Sequence, residues 1–267
     1  MTPSKAIIVA AGMGRRLSPY TDDRPKCLVE INQRPILRYQ LDAYRRAGVE
    51  EFVIVRGYLG DRLADALAAE PGVRFIDNPD FQRNNILLSL MYAAEAMDGG
   101  FLFSYADIVF RPQVVAAVAA ARGPLSLVVD PYWTDAYQGR SEHPVSEAEL
   151  ARVEGGRVTA VGKRVVPQEE ARGEFIGLLR ADAEGAERLR ATYQRRLAEG
   201  GLDAPYGRAP RLQVAYLSDL LNDLIGQGVP IHATEITEPN AWREIDTVQD
   251  LERAHAEIGR ASCRDRV

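Results

Sequence analysis

A chain of 267 residues, 46% hydrophobic and 27% charged, is long enough for one well-buried α/β domain or two small ones. Its formal net charge of −5 gives no basic field for nucleic acid or an anionic membrane, and no apolar run approaches the roughly 20 residues that span a bilayer. Cys27 and Cys263 make neither a disulfide framework nor a zinc spacing, and the short apolar N-terminus runs into a glycine loop, unlike a signal peptide. A cytoplasmic enzyme or binding protein is expected, with the oligomeric state left open, a homodimer included. Lysine occurs only at Lys5, Lys26 and Lys163, and every other basic residue is arginine. A lysine that survives such a bias is a candidate for a task that needs its compact ammonium.

In chain order, Lys5–Ala11 is a branched apolar run ending in glycine and reads as a buried central strand. Val29–Ile31 follows as a short strand. Pro35 opens a helix carried by Ile36, Tyr39, Ala43, Tyr44 and Ala47 and closed by Gly48. Glu51–Val55 is a strand, Asp61 caps a helix to Ala69, and Val73–Ile76 is the next strand. A helix over Ile86–Met97, a strand over Phe101–Tyr105, a helix opened by Pro112 and a strand over Leu125–Val129 complete the first half. Strands separated by helices imply right-handed βαβ crossovers and a mostly parallel sheet covered on both faces. Beyond Asp130, Glu149–Val153 and Val158–Lys163 flank the hairpin turn Glu154-Gly155-Gly156-Arg157. A strand over Phe175–Leu179, helices over Ala183–Glu199 and Val214–Ile225, a strand over Ile231–Ile236 and a helix over Val248–Ile258 follow. No repeat or linker divides the chain, so residues 1–258 read as one domain with a lid-like insertion at about 131–175, and Gly259–Val267 as a polar tail outside it.

The most informative segment is Ala10-Ala11-Gly12-Met13-Gly14-Arg15-Arg16-Leu17, followed by Pro25-Lys26. A glycine turn after the first strand of a parallel sheet lies at the edge where such folds bind ligands, and glycines let backbone N–H groups approach phosphate. The dinucleotide fingerprint competes for these residues, but it needs a glycine where Leu17 stands and a helix that Pro19 and Pro25 oppose. No G-x-x-x-x-G-K-[ST] is present, which removes the P-loop reading.

A first strand leading into A-A-G-x-G-x-R-L and then P-K resembles the nucleotidyltransferases that make sugar nucleotides and CDP-alcohols. The resemblance implies that the loop of Ala10, Ala11, Gly12 and Gly14 holds a nucleoside triphosphate. It gives Arg16 the leaving β,γ-phosphates and Lys26 the phosphates in the transition state, while Arg15 has no counterpart. Such transfer needs a hard divalent cation on carboxylates. Asp107 follows the Phe101–Tyr105 strand, and Glu244 and Asp246 alternate on an extended segment, facing one side. The resemblance assigns Asp107 and Asp246, with Glu244, to Mg²⁺; Asp246 read alone also suits a helix cap. Asn84, Asn85 and Ser89, in N-N-x-x-x-S-L, lie where relatives recognise the base, and an Asn there also suits the cap of the next helix. That motif and E-I-D-T-V-Q-D at 244–250 resemble the choline-phosphate and phosphonate cytidylyltransferases, which use CTP.

On the acceptor side, Tyr132, Trp133, Asp135 and Tyr137 precede Arg140 and His143, a set suited to covering a small polar acceptor and holding its phosphoryl or phosphonyl head. The Y-x-G-R-x-x-H-P pattern resembles the phosphonate enzymes, and Lys163 resembles a second phosphate-contacting lysine. The expected fold is therefore α/β, a Rossmann-like three-layer sandwich with a mixed, mainly parallel sheet and a small acceptor lid. The expected reaction is CTP plus a 2-aminoethylphosphonate-like phosphonate giving a CMP-phosphonate and pyrophosphate. Phosphocholine and a sugar 1-phosphate are the alternative acceptors. A nucleotide-sensing subunit and a dinucleotide-dependent oxidoreductase are the readings from other classes.

Overall fold

The structure, a computed structural model, describes residues 3–264. The first half builds β1 (Lys5–Ala10), the two-residue strands β2 (Glu30–Ile31) and β3 (Arg34–Pro35), α1 (Ile36–Arg46), β4 (Glu51–Arg56), α2 (Gly60–Ala66), β5 (Val73–Asp77) and α3 (Ile86–Met91). It continues through β6 (Phe101–Tyr105), β7 (Ile108–Phe110), α4 (Pro112–Ala119) and β8 (Leu125–Asp130). The second half adds α5 (Trp133–Tyr137), β9 (Glu149–Glu154), β10 (Arg157–Lys163), β11 (Gly173–Ala181), α6 (Ala183–Gly200), α7 (Leu217–Gly226), β12 (Ile231–Glu235), β13 (Trp242–Glu244) and α8 (Val248–Arg264).

Nine strands form one sheet in the order β5-β4-β1-β6-β11-β8-β12-β10-β9, and β9 also pairs with β11. The run β5-β4-β1-β6 is parallel, as the βαβ pattern requires, and β12 is parallel to β8. Strand β11 runs antiparallel to β6, β8 and β9, so the sheet is mixed and its second half is largely antiparallel. Successive side chains of β1 go to opposite faces. Ile7 and Val9 join one core with α3, α6 and α7, whereas Ala6, Ile8 and Ala10 join the other with α1 and α4. This is a three-layer sandwich, and it explains why β1 is buried along its whole length.

The segment expected as a lid, 131–175, is stitched into this sheet through β9 and β10. Its short helix α5 covers a small separate cluster of Trp133, Tyr137, Ala148, Leu150 and Val166. The expected helix over Ile86–Met97 is broken after Met91 and resumes as a 3₁₀ turn at Ala94–Ala96. Helix α8 continues past Ile258 to Arg264, and residues 265–267 of the expected tail lie outside the described residues. Among the described residues no helix is long and apolar enough to cross a membrane.

Candidate active site

A cavity of about 400 Å³ opens where β1 and β6 end, with walls from α3, β9, β10, β11 and β13. Ala10, Ala11, Gly12 and Gly14 form its upper rim. At Gly12 the place of a Cβ is open space, so the backbone there is accessible to a bulky anion. Gly14 has φ of 61°, and a Cβ on it would meet Lys26 Cβ at 2.9 Å; only glycine allows loop and lysine to pack this closely. Thr21 Oγ1 fixes the loop by donating to the Gly14 carbonyl at 3.0 Å. A 3₁₀ turn at Arg15–Leu17 then buries Leu17 completely, and the neighbouring Arg16 reaches Asp246 Oδ2 at 2.5 Å.

Lys26 stands on a second 3₁₀ turn, Lys26–Leu28, that begins after Pro25. Its Nζ donates to Asp107 Oδ2 at 2.8 Å and to Asp246 Oδ1 at 2.6 Å. Burial disfavours the ammonium, but the two carboxylates outweigh it and hold Lys26 firmly protonated, its pKa raised above the ordinary lysine value. Asp246 is likewise desolvated. The hydrogen bond from His143 and the charges of Lys26 and Arg16 overcome that and keep its pKa well below the usual carboxylate range.

The two carboxylates are distant in sequence and meet through backbone pairing. Strand β13 lies antiparallel to β7, with Glu244 opposite Ile108, and the Ile245 N–H donates to the Asp107 carbonyl at 2.8 Å. The capping alternative for Asp246 falls to its neighbours. Thr247 Oγ1 accepts from the Asp250 N–H at 3.2 Å, and Asp250 Oδ2 accepts from the Thr247 N–H at 2.9 Å, a capping box that opens α8. Asp246 is thereby left to the cavity.

A divalent cation fits this donor set. Asp107 Oδ1 is buried without a partner among the described residues, an acceptor with a lone pair to give. Asp246 and Glu244 supply further hard oxygen donors from the same cavity wall. His143, Glu244 and Asp246 also place one donor atom each within 4.8 Å of one another, although a histidine nitrogen suits Mg²⁺ poorly.

Asn84, Asn85 and Ser89 all line the cavity, and their roles differ. Asn85 Oδ1 caps α3 by accepting from the Ile86 N–H at 2.8 Å. Asn84 exchanges two amide hydrogen bonds with buried Asn78, at 2.9 and 3.0 Å, and Asn78 also donates to Ser89 Oγ at 2.9 Å. Asn78 was not anticipated; it fixes which edge Asn84 presents.

The acceptor side requires a correction. Arg140 and His143 do not line the cavity. The Arg140 side chain is 6% exposed and spends its guanidinium on Asp250, at 2.6 and 2.8 Å, and on Glu244 at 2.9 Å. His143 is buried, with Nδ1 3.0 Å from Asp246 Oδ2. Both support carboxylates from behind. Trp133 and Tyr137 are buried, stacking edge-on with each other, and Tyr137 stacks in the same way on His143. Tyr132 and Asp135 face solvent; the Tyr132 hydroxyl bonds the Thr237 carbonyl, and Asp135 accepts from Gln138. None of these four lines the cavity, because α5 turns their side chains into its own cluster or outward.

Lys163 is in the cavity wall, its Nζ 3.1 Å from Glu147 Oε2 and 5.2 Å over the Tyr216 ring. Among the polar residues of this wall, Tyr105, Glu174 and Tyr216 carry no signal read in the sequence, and Glu147 and Glu149 enter it only as the stretch that follows the Y-x-G-R-x-x-H-P pattern, without a role. One of them was within reach: the hairpin turn at Glu154–Arg157 sets Glu149 opposite Lys163. Gly177, with φ of 77°, makes room for Tyr105, whose ring would lie 2.2 Å from a Cβ there.

Comparison with known proteins gives a consistent picture. The sequence profile of the MobA-like NTP transferase domain matches residues 6–154. The chain is similar to the CTP:phosphoglutamine cytidylyltransferase of Campylobacter jejuni, 30% identical over 253 residues, 92% of this chain and 97% of that protein. It is similar to the 2-aminoethylphosphonate cytidylyltransferase of Lancefieldella rimae, 33% identical over 41% of this chain and 45% of the relative. Among solved structures, the CTP:phosphocholine cytidylyltransferase from Streptococcus pneumoniae superimposes with a TM-score of 0.73 at 23% identity, over 95% of this chain and 98% of that one, a likeness of fold.

Proposed function

The chain belongs to the family of MobA-like NTP transferase domains and is a nucleotidyltransferase, and from that premise we propose that it transfers CMP from CTP to a small phosphonate, 2-aminoethylphosphonate-like, releasing pyrophosphate. The observation that carries the reading is the convergence of Lys26, Asp107 and Asp246 under the glycine loop. The choice of CTP is supported by the cytidylyltransferase relative matched over nearly its whole length. The choice of a phosphonate is supported by the aminoethylphosphonate relative; Arg140 and His143, both spent on carboxylates, lend it nothing.

In this reading a phosphonate oxygen of the acceptor attacks the α-phosphorus. A P–O bond forms, the bond to the β-phosphate oxygen breaks, and pyrophosphate departs with its electron pair. The open backbone at Gly12 receives the triphosphate, and Arg16, exposed at the rim, swings from Asp246 to the β,γ-phosphates. Lys26 stays buried and charged, aligned by its carboxylates, so its field at the reacting phosphates costs no reorganisation. Asn84, held by Asn78, reads the base edge. Lys163 receives the acceptor's phosphonyl end. A Mg²⁺ ion held by Asp107 and Asp246, with Glu244, would neutralise developing phosphate charge. The test is product identification: incubation with CTP, Mg²⁺ and 2-aminoethylphosphonate should yield a species with the mass of the CMP-phosphonate. Recovery of unchanged CTP under those conditions, with the protein folded, would refute the proposal.

A further inference from the structure

The wall of the cavity formed by Phe81, Asn84, Asn85, Ile86 and Ser89 carries no charged side chain, whereas the carboxylates and lysines stand on the other walls. An uncharged heterocycle belongs against the neutral wall, and the amides there decide which one. Asn85 has spent its Oδ1 on the α3 cap and sends its Nδ2 to the Val214 carbonyl at 3.4 Å. The orientation of Asn84 follows from a chain of bonds that begins on the backbone. The Asp80 N–H donates to Asn78 Oδ1 at 3.0 Å, and a backbone N–H can only donate. This turn fixes which end of the buried Asn78 amide is oxygen. The same Oδ1 accepts from Asn84 Nδ2 at 2.9 Å, which fills both of its lone pairs. The two hydrogens of Asn78 Nδ2 go to Asn84 Oδ1 at 3.0 Å and to Ser89 Oγ at 2.9 Å. Having accepted, Ser89 Oγ turns its own hydrogen to Asn84 Oδ1 at 3.3 Å. Asn84 Oδ1 is thereby full. One hydrogen of Asn84 Nδ2 is the only hydrogen-bonding capacity of that amide left without a partner among the described residues. The turn itself is held by the Asp80 carbonyl, which accepts from the Arg83 and Asn84 N–H groups at 2.8 and 3.1 Å, and by the Tyr92 hydroxyl on Asp80 Oδ2 at 2.8 Å.

We propose that Asn78 and Ser89 set the choice of base by making Asn84 a pure donor, which bonds the bare N3 of cytosine and rejects the N3–H of uracil. The inference rests on the nucleotidyl-transfer reading of this cavity. Both pyrimidines offer an acceptor at O2, so a donor placed there cannot tell them apart. N3 differs, being an acceptor in cytosine and a donor in uracil. An asparagine free to turn over would serve either base by flipping its amide. With Oδ1 full and fixed, Asn84 meets uracil N–H to N–H and leaves both groups unpaired. Asn78 lies outside the cavity lining, so it is a positioning residue that acts through Asn84. Ser89 lies in the lining, and its hydroxyl closes the one acceptor that uracil could otherwise use.

The experiment is calorimetric titration of the full chain in Mg²⁺, without acceptor, with CTP, UTP and 3-deazacytidine triphosphate, which keeps the amine and O2 of cytosine and replaces N3 by C–H. Wild type should bind CTP at least about tenfold more tightly than either of the others. Asn78→Asp keeps an acceptor for the Asp80 N–H and exchanges the amide donor for an oxygen, which releases Asn84. Ser89→Ala frees a lone pair on Asn84 Oδ1 that the uracil N3–H can take. Each should bring the ratio of CTP to UTP affinity to within about threefold of one. A damaged fold weakens both nucleotides together and leaves their ratio alone, and a melting curve identifies a variant that does not fold. Ser89→Ala, which removes a single oxygen, keeps the test open if the charge introduced by Asn78→Asp unfolds the chain. Equal binding of CTP and 3-deazacytidine triphosphate, equal binding of CTP and UTP, or an unchanged ratio in the folded variants would each overturn the assignment. Transfer of CMP to 2-aminoethylphosphonate tests the underlying reading separately. Transfer with no loss of affinity on removing N3 sinks the base assignment alone, and an N3-dependent preference for CTP without transfer sinks the reaction alone. Failure to bind any of the three triphosphates sinks both.

Discussion

Lys26 is the residue on which the site turns, because one ammonium joins two carboxylates brought from distant parts of the chain. Replacing it by Ala should lower kcat by about a hundredfold or more, since a fixed cation in a dry site is worth several kcal/mol to a phosphoryl transition state. Steady-state turnover within a few-fold of wild type would remove Lys26 from the chemistry. Its prominence was legible in the sequence, through the P-K spacing and the scarcity of lysine. The fate of Arg140 was not. A loop arginine beside a histidine reads as an anion site, and nothing in the local sequence announces that Asp250 and Glu244 come to meet it from the far end of the chain. Arg140→Ala should consequently act on stability first. Removing one member of a buried pair costs about 3–5 kcal/mol and leaves Asp250 uncompensated. The expected result is a large drop in Tm with loss of turnover for every acceptor; a rise in acceptor KM alone, at unchanged Tm, would contradict it.

Elements with a strong period were legible, and elements made by long-range pairing were not. Strands β1, β4, β6 and β8 announce themselves as apolar runs because both faces are buried. The pair β7–β13 has three residues on each side and no pattern of its own, yet it is the pair that sets Glu244 and Asp246 beside Asp107. The antiparallel course of β11 was equally hidden, since the direction of a strand leaves no mark on its sequence. Here the glycine is informative in retrospect: the register of β11 against β8 shifts between Phe175 and Leu179, and Gly177 sits in that bulge against the Tyr105 ring. Gly177→Ala would strain a positive-φ position and drive a methyl into that ring. A loss of about 2 kcal/mol or more, with Tyr105 displaced from the cavity, is expected on denaturant unfolding. A variant as stable as wild type would mean that the bulge is not fixed by this contact.

At the scale of the whole molecule, the sheet acts as a scaffold that keeps its buried acids out of water while its carboxyl edge receives anions. Glu149 faces Tyr105 from β6, Lys163 from β10, Asp219 from α7 and Glu244 from β13; Glu174 faces Tyr137 from α5, Asp130 from β8, Glu244 and Arg140. For both residues burial dominates and raises the folded pKa above the ordinary glutamate value of 4.5, to about 7 and about 8. Below 4.5 these carboxyls are protonated in both states. Between 4.5 and about 8 the unfolded chain has lost the protons that the folded one retains, so their contribution to stability falls as pH rises and levels off above about 8. The Tm of the ligand-free protein should therefore fall relative to that of Glu174→Gln between about pH 5 and pH 8.5; a constant difference across that window would show that Glu174 titrates normally. The central claim, cytidylyl transfer, meets its most direct test in pyrophosphate release with each of the four ribonucleoside triphosphates in turn, using Mg²⁺ and 2-aminoethylphosphonate. Asn84, locked by Asn78, presents a fixed hydrogen-bonding edge, and the wrong pyrimidine would leave buried groups unpaired. The account predicts rapid release with CTP and at least about tenfold slower release with UTP; equal rates with CTP and UTP, or release with a purine nucleotide alone, would contradict it.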